Sequence, residues 1–427
     1  MSKIIRNNFF YIGLFSVVIL IIAFFILPDF LPATFVNIPV NDLADATTSI
    51  IVPEEPVIVS KVVKHQKLPE AVKGIYMTAC VAGTPSFRAK LMKLVNETEL
   101  NSIIIDIKDY SGTISFNIDK PTFIDNVGGG CKASDMAEFI ETLHDVGIYV
   151  IGRITAFQDP YITKIHPEWA VKKNSDKSII WKDRKGISFA DAGNKEMWQY
   201  LADLGMASYE IGFDEINYDY IRFPSDGDMK DIYFPSSEII WAIEKTKIKP
   251  DVVIASTTAT STPARPKPQV SNKSLVLNMF FEYLHNYFKD TNVIISADLF
   301  GMTATNYDDL NIGQILENAL LNFDFVAPMV YPSHYPVNFM GYKSVAEVNA
   351  HPYDIVNYSM KIAVERAKEI GVNPLKLRPW LQDNDYPVPY TPAMVRAQMQ
   401  ATYDAGLTSW MLWDAGNTYT QSALLVK

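Results

Sequence analysis

A chain of 427 residues exceeds one small domain, and its 48% hydrophobic and 20% charged content supports a large core and excludes wholesale disorder. The net charge of -10 lacks the basic excess of a nucleic-acid binder, and two cysteines exclude a disulfide scaffold or a four-cysteine zinc site. Six scattered histidines form no H-E-x-x-H motif, and there is no Walker loop and no G-x-G-x-x-G after a strand, so no metal and no cofactor is expected.

Lys3 and Arg6 precede an uncharged run from Phe9 to Leu27. As a helix, those nineteen residues span roughly 29 Å, close to the thickness of a bilayer core. Basic residues on the short leading side keep residues 1–8 in the cytoplasm and send the rest of the chain outside. Residues 9–27 therefore read as a single-pass signal anchor in the plasma membrane. A cleaved signal peptide and a secreted product are the alternative, but no small-x-small cleavage site follows Leu27. Residues 28–70 carry Pro28, Pro32, Pro39, Pro53, Pro56 and Pro69 with no helical period, and read as an extracytoplasmic linker.

One domain is expected over residues 71–427. Apolar runs recur at 74–78, 102–106, 148–152, 212–219, 293–298, 325–331, 377–381 and 408–413. Runs of this kind, separated by helical stretches, predict strands of a parallel sheet buried on both faces. Val356, Met360, Ala363, Ala367 and Ile370 fall on one helical face, and Gly371 stands at its end. Thr391 and Pro392 cap another helix, which Gly406 follows. Eight such units predict an α/β fold, a (β/α)8 TIM barrel with loop insertions, with a doubly wound open sheet as the alternative. Residues 155–189, with His166-Pro-Glu-Trp169 and Trp181-Lys-Asp183, form a long loop after strand three that is expected to wall a cleft. Residues 251–273 form a second insertion, with an extra strand expected at 252–256 and no function assigned. Cys80 and Cys131 follow strands one and two, and can bond if their Cα atoms come within roughly 7 Å.

In a barrel, side chains alternate in and out, and chemistry collects at the carboxyl ends of the strands. Strand four reads Phe213-Asp-Glu-Ile-Asn-Tyr-Asp-Tyr-Ile-Arg-Phe-Pro224. Period two sends Ile216, Tyr218 and Tyr220 outward against helices, and Glu215, Asn217 and Asp219 inward, with Asp219 nearest the top. Such a polar row needs partners, and Arg153 and Arg222 are the expected counter-charges. Strand five ends in Asp298, and strand two in Asp106-Ile-Lys-Asp109, where Lys108 stands. Several carboxylates thus converge on one rim. Two carboxylates across a sugar ring are what glycosidic hydrolysis requires, at about 5–5.5 Å for retention and about 6.5–9.5 Å for inversion. The competing reading is an ion-pair network that only stabilises the barrel top. Tyr331, Trp380, Trp410 and Trp413 flank the same rim and can stack on sugar faces, and His334 lies beside them.

These stretches resemble the putative glycosyl hydrolase domain family of bacterial (β/α)8 proteins, many of them membrane-anchored. The resemblance rests on Ile105-Asp-Ile-Lys-Asp109, Gly147-Ile-Tyr-Val-Ile-Gly-Arg153, the strand-four segment, Asp298-Leu-Phe-Gly301, Pro328-Met-Val-Tyr-Pro-Ser-His-Tyr335, Arg378-Pro-Trp-Leu-Gln-Asp383 and Trp410-Met-Leu-Trp413. Similarity to amylase-like barrels implies Asp219 as nucleophile or base and Asp298 as general acid. The rim adds Asp106, Lys108, Arg153, Asn217, Arg222, Tyr331, His334, Trp380, Gln382 and Trp413 as expected substrate-binding residues. A fainter similarity to chitinase-like hydrolases aligns Asp214, Asn217 and Asp219 with their strand-four acids, but Ile221 stands where their acid Glu falls. The expected partner is a polysaccharide or oligosaccharide of the cell envelope or environment. A non-catalytic glycan-binding barrel at the cell surface is the alternative, and a structural envelope protein a third reading.

Overall fold

Eight parallel strands close into a barrel in sequence order. They are β1 (Lys73–Met77), β2 (Ser102–Lys108), β3 (Tyr149–Thr155), β4 (Glu215–Asp219), β5 (Ile294–Phe300), β6 (Phe325–Met329), β7 (Trp380–Gln382) and β8 (Trp410–Trp413). Closure is set where Ile75 of β1 pairs with Leu412 of β8 and with Ile103 of β2. That pairing excludes the open doubly wound sheet. This computed structural model describes residues 63–126, 128, 131–247 and 266–427. The expected anchor, the linker up to residue 62 and the strand at 252–256 lie outside the described residues. Among the described residues, no helix is long and apolar enough to cross a membrane.

The strands read as near-continuous apolar runs because both faces are covered. Ile103, Ile105 and Ile107 of β2, and Ile216 and Tyr218 of β4, face outward into the large core beneath the helices. Tyr76, Ile104, Tyr149, Ile151, Ala327, Trp380 and Met411 point the other way and fill the barrel interior. The helix over Pro352–Glu369 buries Val356, Met360, Ala363 and Ala367, and Gly371 follows it at φ +73°, the left-handed conformation that ends helices. Thr391 caps the helix over Pro392–Asp404 by accepting from the backbone N–H of Met394.

The long loop after β3 walls a cleft apart from the central cavity: Tyr161, His166 and Trp169 line a pocket with Thr122 and Tyr200, and none of the loop's residues lines the central cavity. It folds on itself through antiparallel bridges, Lys172 to Ile180 and Lys182 to Ser188, and buries Trp181, whose indole N–H donates to Asp228 O. Its start is fastened by Asp159, which pairs with Lys108 at 2.6 Å. Cys80 and Cys131 are joined as a disulfide, with Cα atoms 4.2 Å apart, and tie the segment after β1 to the loop after β2.

Candidate active site

The inward row of β4 finds partners from bottom to top, except for the buried Oδ1 of Asn217, which has no hydrogen-bond partner among the described residues. Glu215 takes the guanidinium of Arg378 at 2.8 Å and the hydroxyl of Tyr149 at 3.1 Å. Asn217 donates to Asp298 and to Ser296. Asp219 accepts from Arg153 through Nη2 at 2.5 Å and Nε at 3.2 Å. Pairing of this kind offsets most of the cost of burying these polar groups.

Above this row opens a cavity of about 330 Å³ at the carboxyl ends of β3 to β8. Asp219 and Asp298 form its floor with Arg153. Phe300, Met329, Tyr331, Trp380 and Trp413 wall one side, and Tyr220, Arg222 and His334 complete the lining. The walls depend on Gly301, because a Cβ there would sit 2.2 Å from Met329 O. Only glycine lets the chain turn that closely against β6 and leave Phe300 and Met329 at the cavity.

Asp298 is held by the indole N–H of Trp380 at 2.8 Å and by Asn217 at 3.0 Å, both on Oδ1. Burial, reinforced by the charge of Asp219, pushes its pKa up to about 8, so it keeps its proton at neutral pH. Arg153 Nε lies 3.2 Å from Asp219 and 3.8 Å from Asp298, which limits the two nearest carboxylate oxygens to at most about 7 Å apart. Arg153 also donates through Nη1 to Asp106 at 2.7 Å, and Asp106 in turn accepts from the hydroxyl of Tyr76. Burial opposes the charge of Arg153, but the carboxylates of Asp219 and Asp106 outweigh it and hold the group protonated. Burial alone lowers the pKa of His334, leaving its ring neutral near pH 7.

The structure thus brings eight of the twelve sequence-selected residues to one cavity: Asp219, Asp298, Arg153, Arg222, Tyr331, His334, Trp380 and Trp413. The other four stand behind its wall. Asp106 reaches Arg153 from below. Asn217 sits under Asp298. Lys108 is fully buried, with its ammonium on Asp159 and Ala156 O, so it cannot meet a sugar. Gln382 is fully buried as well; it accepts from Ser333 N and donates to Asn384 O and Tyr386 O, and so holds two rim loops together. Arg222 makes no pair with the strand-end carboxylates; its Nη1 donates to Ser225 Oγ and Phe223 O.

Four residues of the site escape the sequence reading. Tyr76 and Phe300 lie on inward positions, Phe300 two residues beyond Asp298, and strict alternation identifies both. Met329 flanks Tyr331 on the same segment. Tyr220 was expected to point outward with Ile216 and Tyr218. The chain turns there at φ +52°, which carries its ring into the cavity, and alternation holds only as far as a strand runs. Asp214 lies at the opposite end of β4, bonded to His144, Val150 N and Gln66 N, and Ile221 is buried in the outer core. The chitinase-like frame therefore has its first acid outside the site and no acid at its last position. Among the described residues, no group of three or more His, Cys, Asp or Glu is placed to hold a metal ion.

Residues 74–419 match the family described as a putative glycosyl hydrolase domain. The chain belongs to that family. Among solved structures it is similar to the glycoside hydrolase domain of PgaB (BpsB) from Bordetella bronchiseptica, at 13% identity and TM-score 0.55, covering 81% of this chain and 94% of that one. A hypothetical protein from Ruminiclostridium thermocellum is 27% identical, with TM-score 0.40, over 52% of this chain and 96% of that one. An alpha-galactosidase from Thermus thermophilus is 11% identical, with TM-score 0.47, over 83% of this chain and 60% of that one. No curated protein matches. The likeness to the PgaB domain agrees with the barrel seen here; at that identity it speaks for fold.

Proposed function

We propose that the protein cleaves glycosidic bonds in a polysaccharide by two-carboxylate chemistry. Asp298 is the acid and donates its proton to the glycosidic oxygen as the leaving group departs. Asp219, oriented by Arg153, attacks the anomeric carbon, and water then releases the sugar with Asp298 acting as base. The observation that carries this reading is the difference between two buried carboxylates in one cavity: burial and a neighbouring charge keep a proton on Asp298, while Asp219 lies in an ion pair with Arg153. The ceiling of about 7 Å on their oxygens is compatible with direct attack, and hence with retention. Tyr331, Trp413 and Phe300 offer apolar faces for sugar rings.

The proposed location is the outer side of the plasma membrane, with residues 9–27 as anchor. The Cys80–Cys131 disulfide supports an oxidising compartment. A cell-envelope or environmental polysaccharide is the substrate class that this location favours. The test is reducing-end release from peptidoglycan and a polysaccharide panel by the full-length chain, beside Asp219→Asn and Asp298→Asn. Release that falls at least a hundredfold in both variants supports the assignment. Near-normal release in either variant removes that residue from the chemistry.

A further inference from the structure

Resting on the glycosidase reading, the geometry points to an acidic sugar as substrate: Arg222 is built to receive a carboxylate carried by a ring bound in the cavity. Three observations meet at this side chain. Arg222 lines the cavity that holds Asp219 and Asp298. Among the described residues, no carboxylate stands at ion-pair distance from it. And its guanidinium is already ordered: Nη1 donates to Ser225 Oγ at 3.0 Å and to Phe223 O at 3.3 Å, and the group lies 4.9 Å over the ring of Tyr220.

The ordering is what separates Arg222 from an ordinary surface arginine. Tyr220 adopts φ +52°, a conformation that tyrosine seldom takes, and this turns the ring under the guanidinium. One edge of the fork is fixed by protein acceptors, and Nε and Nη2 have no protein partner among the described residues. Two coplanar N–H donors match the two oxygens of a carboxylate, and a guanidinium held in place loses little freedom on binding. The other arginine of the cavity contrasts with it. Arg153 is engaged by Asp219, Asp106 and, more distantly, Asp298, and offers nothing to an anion. His334 is neutral near pH 7 and does not compete. Arg222 is thus the cationic group of the lining left for the substrate, three residues beyond the proposed nucleophile. A uronic acid unit beside the cleaved bond satisfies it.

The experiment measures binding apart from turnover. The full-length chain carrying Asp219→Asn is titrated calorimetrically with oligogalacturonate, oligomannuronate and a glucuronate-containing oligosaccharide, and with the carboxyl-reduced form of each. Binding of an acidic sugar at least tenfold tighter than its reduced form is expected. Added Arg222→Gln should abolish that difference, and Arg222→Lys should retain part of it. Equal or tighter binding of the reduced sugars, a preference unaltered by Arg222→Gln, or no binding by any acidic sugar would overturn the assignment. Thermal unfolding of each variant guards against loss of fold. Acidic-sugar binding through Arg222 without hydrolysis by the unsubstituted chain defeats the glycosidase reading alone. Hydrolysis confined to neutral polymers, indifferent to Arg222, defeats only the acidic-sugar assignment.

Discussion

The indole N–H of Trp380 donates to Oδ1 of Asp298 at 2.8 Å, joining the first residue of β7 to β5 at the cavity. The bond favours the ionised carboxylate and so works against the burial and the Asp219 charge that raise its pKa to about 8. Trp380→Phe keeps an aromatic ring and removes the donor. A hydrogen bond to a charged group contributes about 1.5–3 kcal/mol, and one pKa unit is 1.36 kcal/mol. The alkaline limb of kcat/KM, expected near pH 8 in the unsubstituted chain, should therefore move upward by about one to two units in Trp380→Phe. A limb that stays put would show that Asp298 is not the group whose proton is required.

The same shift has a consequence for stability. Asp298 is raised from about 3.9 unfolded to about 8 folded, so between those values the folded state holds a proton that the unfolded state releases. Its stabilising contribution is complete below about pH 4 and is lost as pH rises through 8. Asp298→Asn cannot titrate. The unfolding free energy of the unsubstituted chain relative to Asp298→Asn should fall steadily from pH 5 to about pH 8 and level off above it in denaturant titrations. A flat or rising difference contradicts the raised pKa.

Arg153 is buried and bridges two buried carboxylates. Arg153→Met fills much of the space but strands Asp106 and Asp219 without their counter-charge. Removing one partner of a buried pair costs about 3–5 kcal/mol. Denaturant unfolding at pH 7 should register a loss of that size, and adding Asp219→Asn should recover part of it by removing one stranded charge. Additive losses in the double variant would deny the coupling.

The architecture was legible because burial on both faces writes each strand as an apolar run, and because β4 stays regular through Asp219. Alternation alone therefore placed Glu215, Asn217 and Asp219 inward and Ile216 and Tyr218 outward. It failed one residue later, at the left-handed turn of Tyr220. Lys108 and Gln382 were misjudged for a different reason. Both are polar residues at strand ends, as site residues are, but Asp159 and the loop after β7 cover them. Whether a strand-end polar group meets solvent depends on how the following loops fold, and those loops carry no period to read. Arg378, the partner of Glu215, lies 163 residues away in sequence, and nothing local announces the pair.

Tyr76 was missed although its position on β1 is inward, and its role is testable. Its hydroxyl donates to Asp106, its ring stacks on Trp413 at 4.2 Å between centroids, and Arg153 lies 5.6 Å from the same ring centroid. Tyr76 thus positions Arg153, and through it Asp219, without touching the reacting atoms. Tyr76→Phe preserves both ring contacts and removes the hydroxyl. Burial already raises the pKa of Asp106, against Arg153 and the Tyr76 bond. Loss of that bond raises it further, so Asp106 takes a proton at higher pH and loosens its hold on Arg153. A fall in kcat of about tenfold, the scale of about 1.4 kcal/mol, is expected, with KM little changed and the acid limb of the pH profile displaced upward. A rise in KM with an unmoved acid limb would assign Tyr76 to sugar stacking instead.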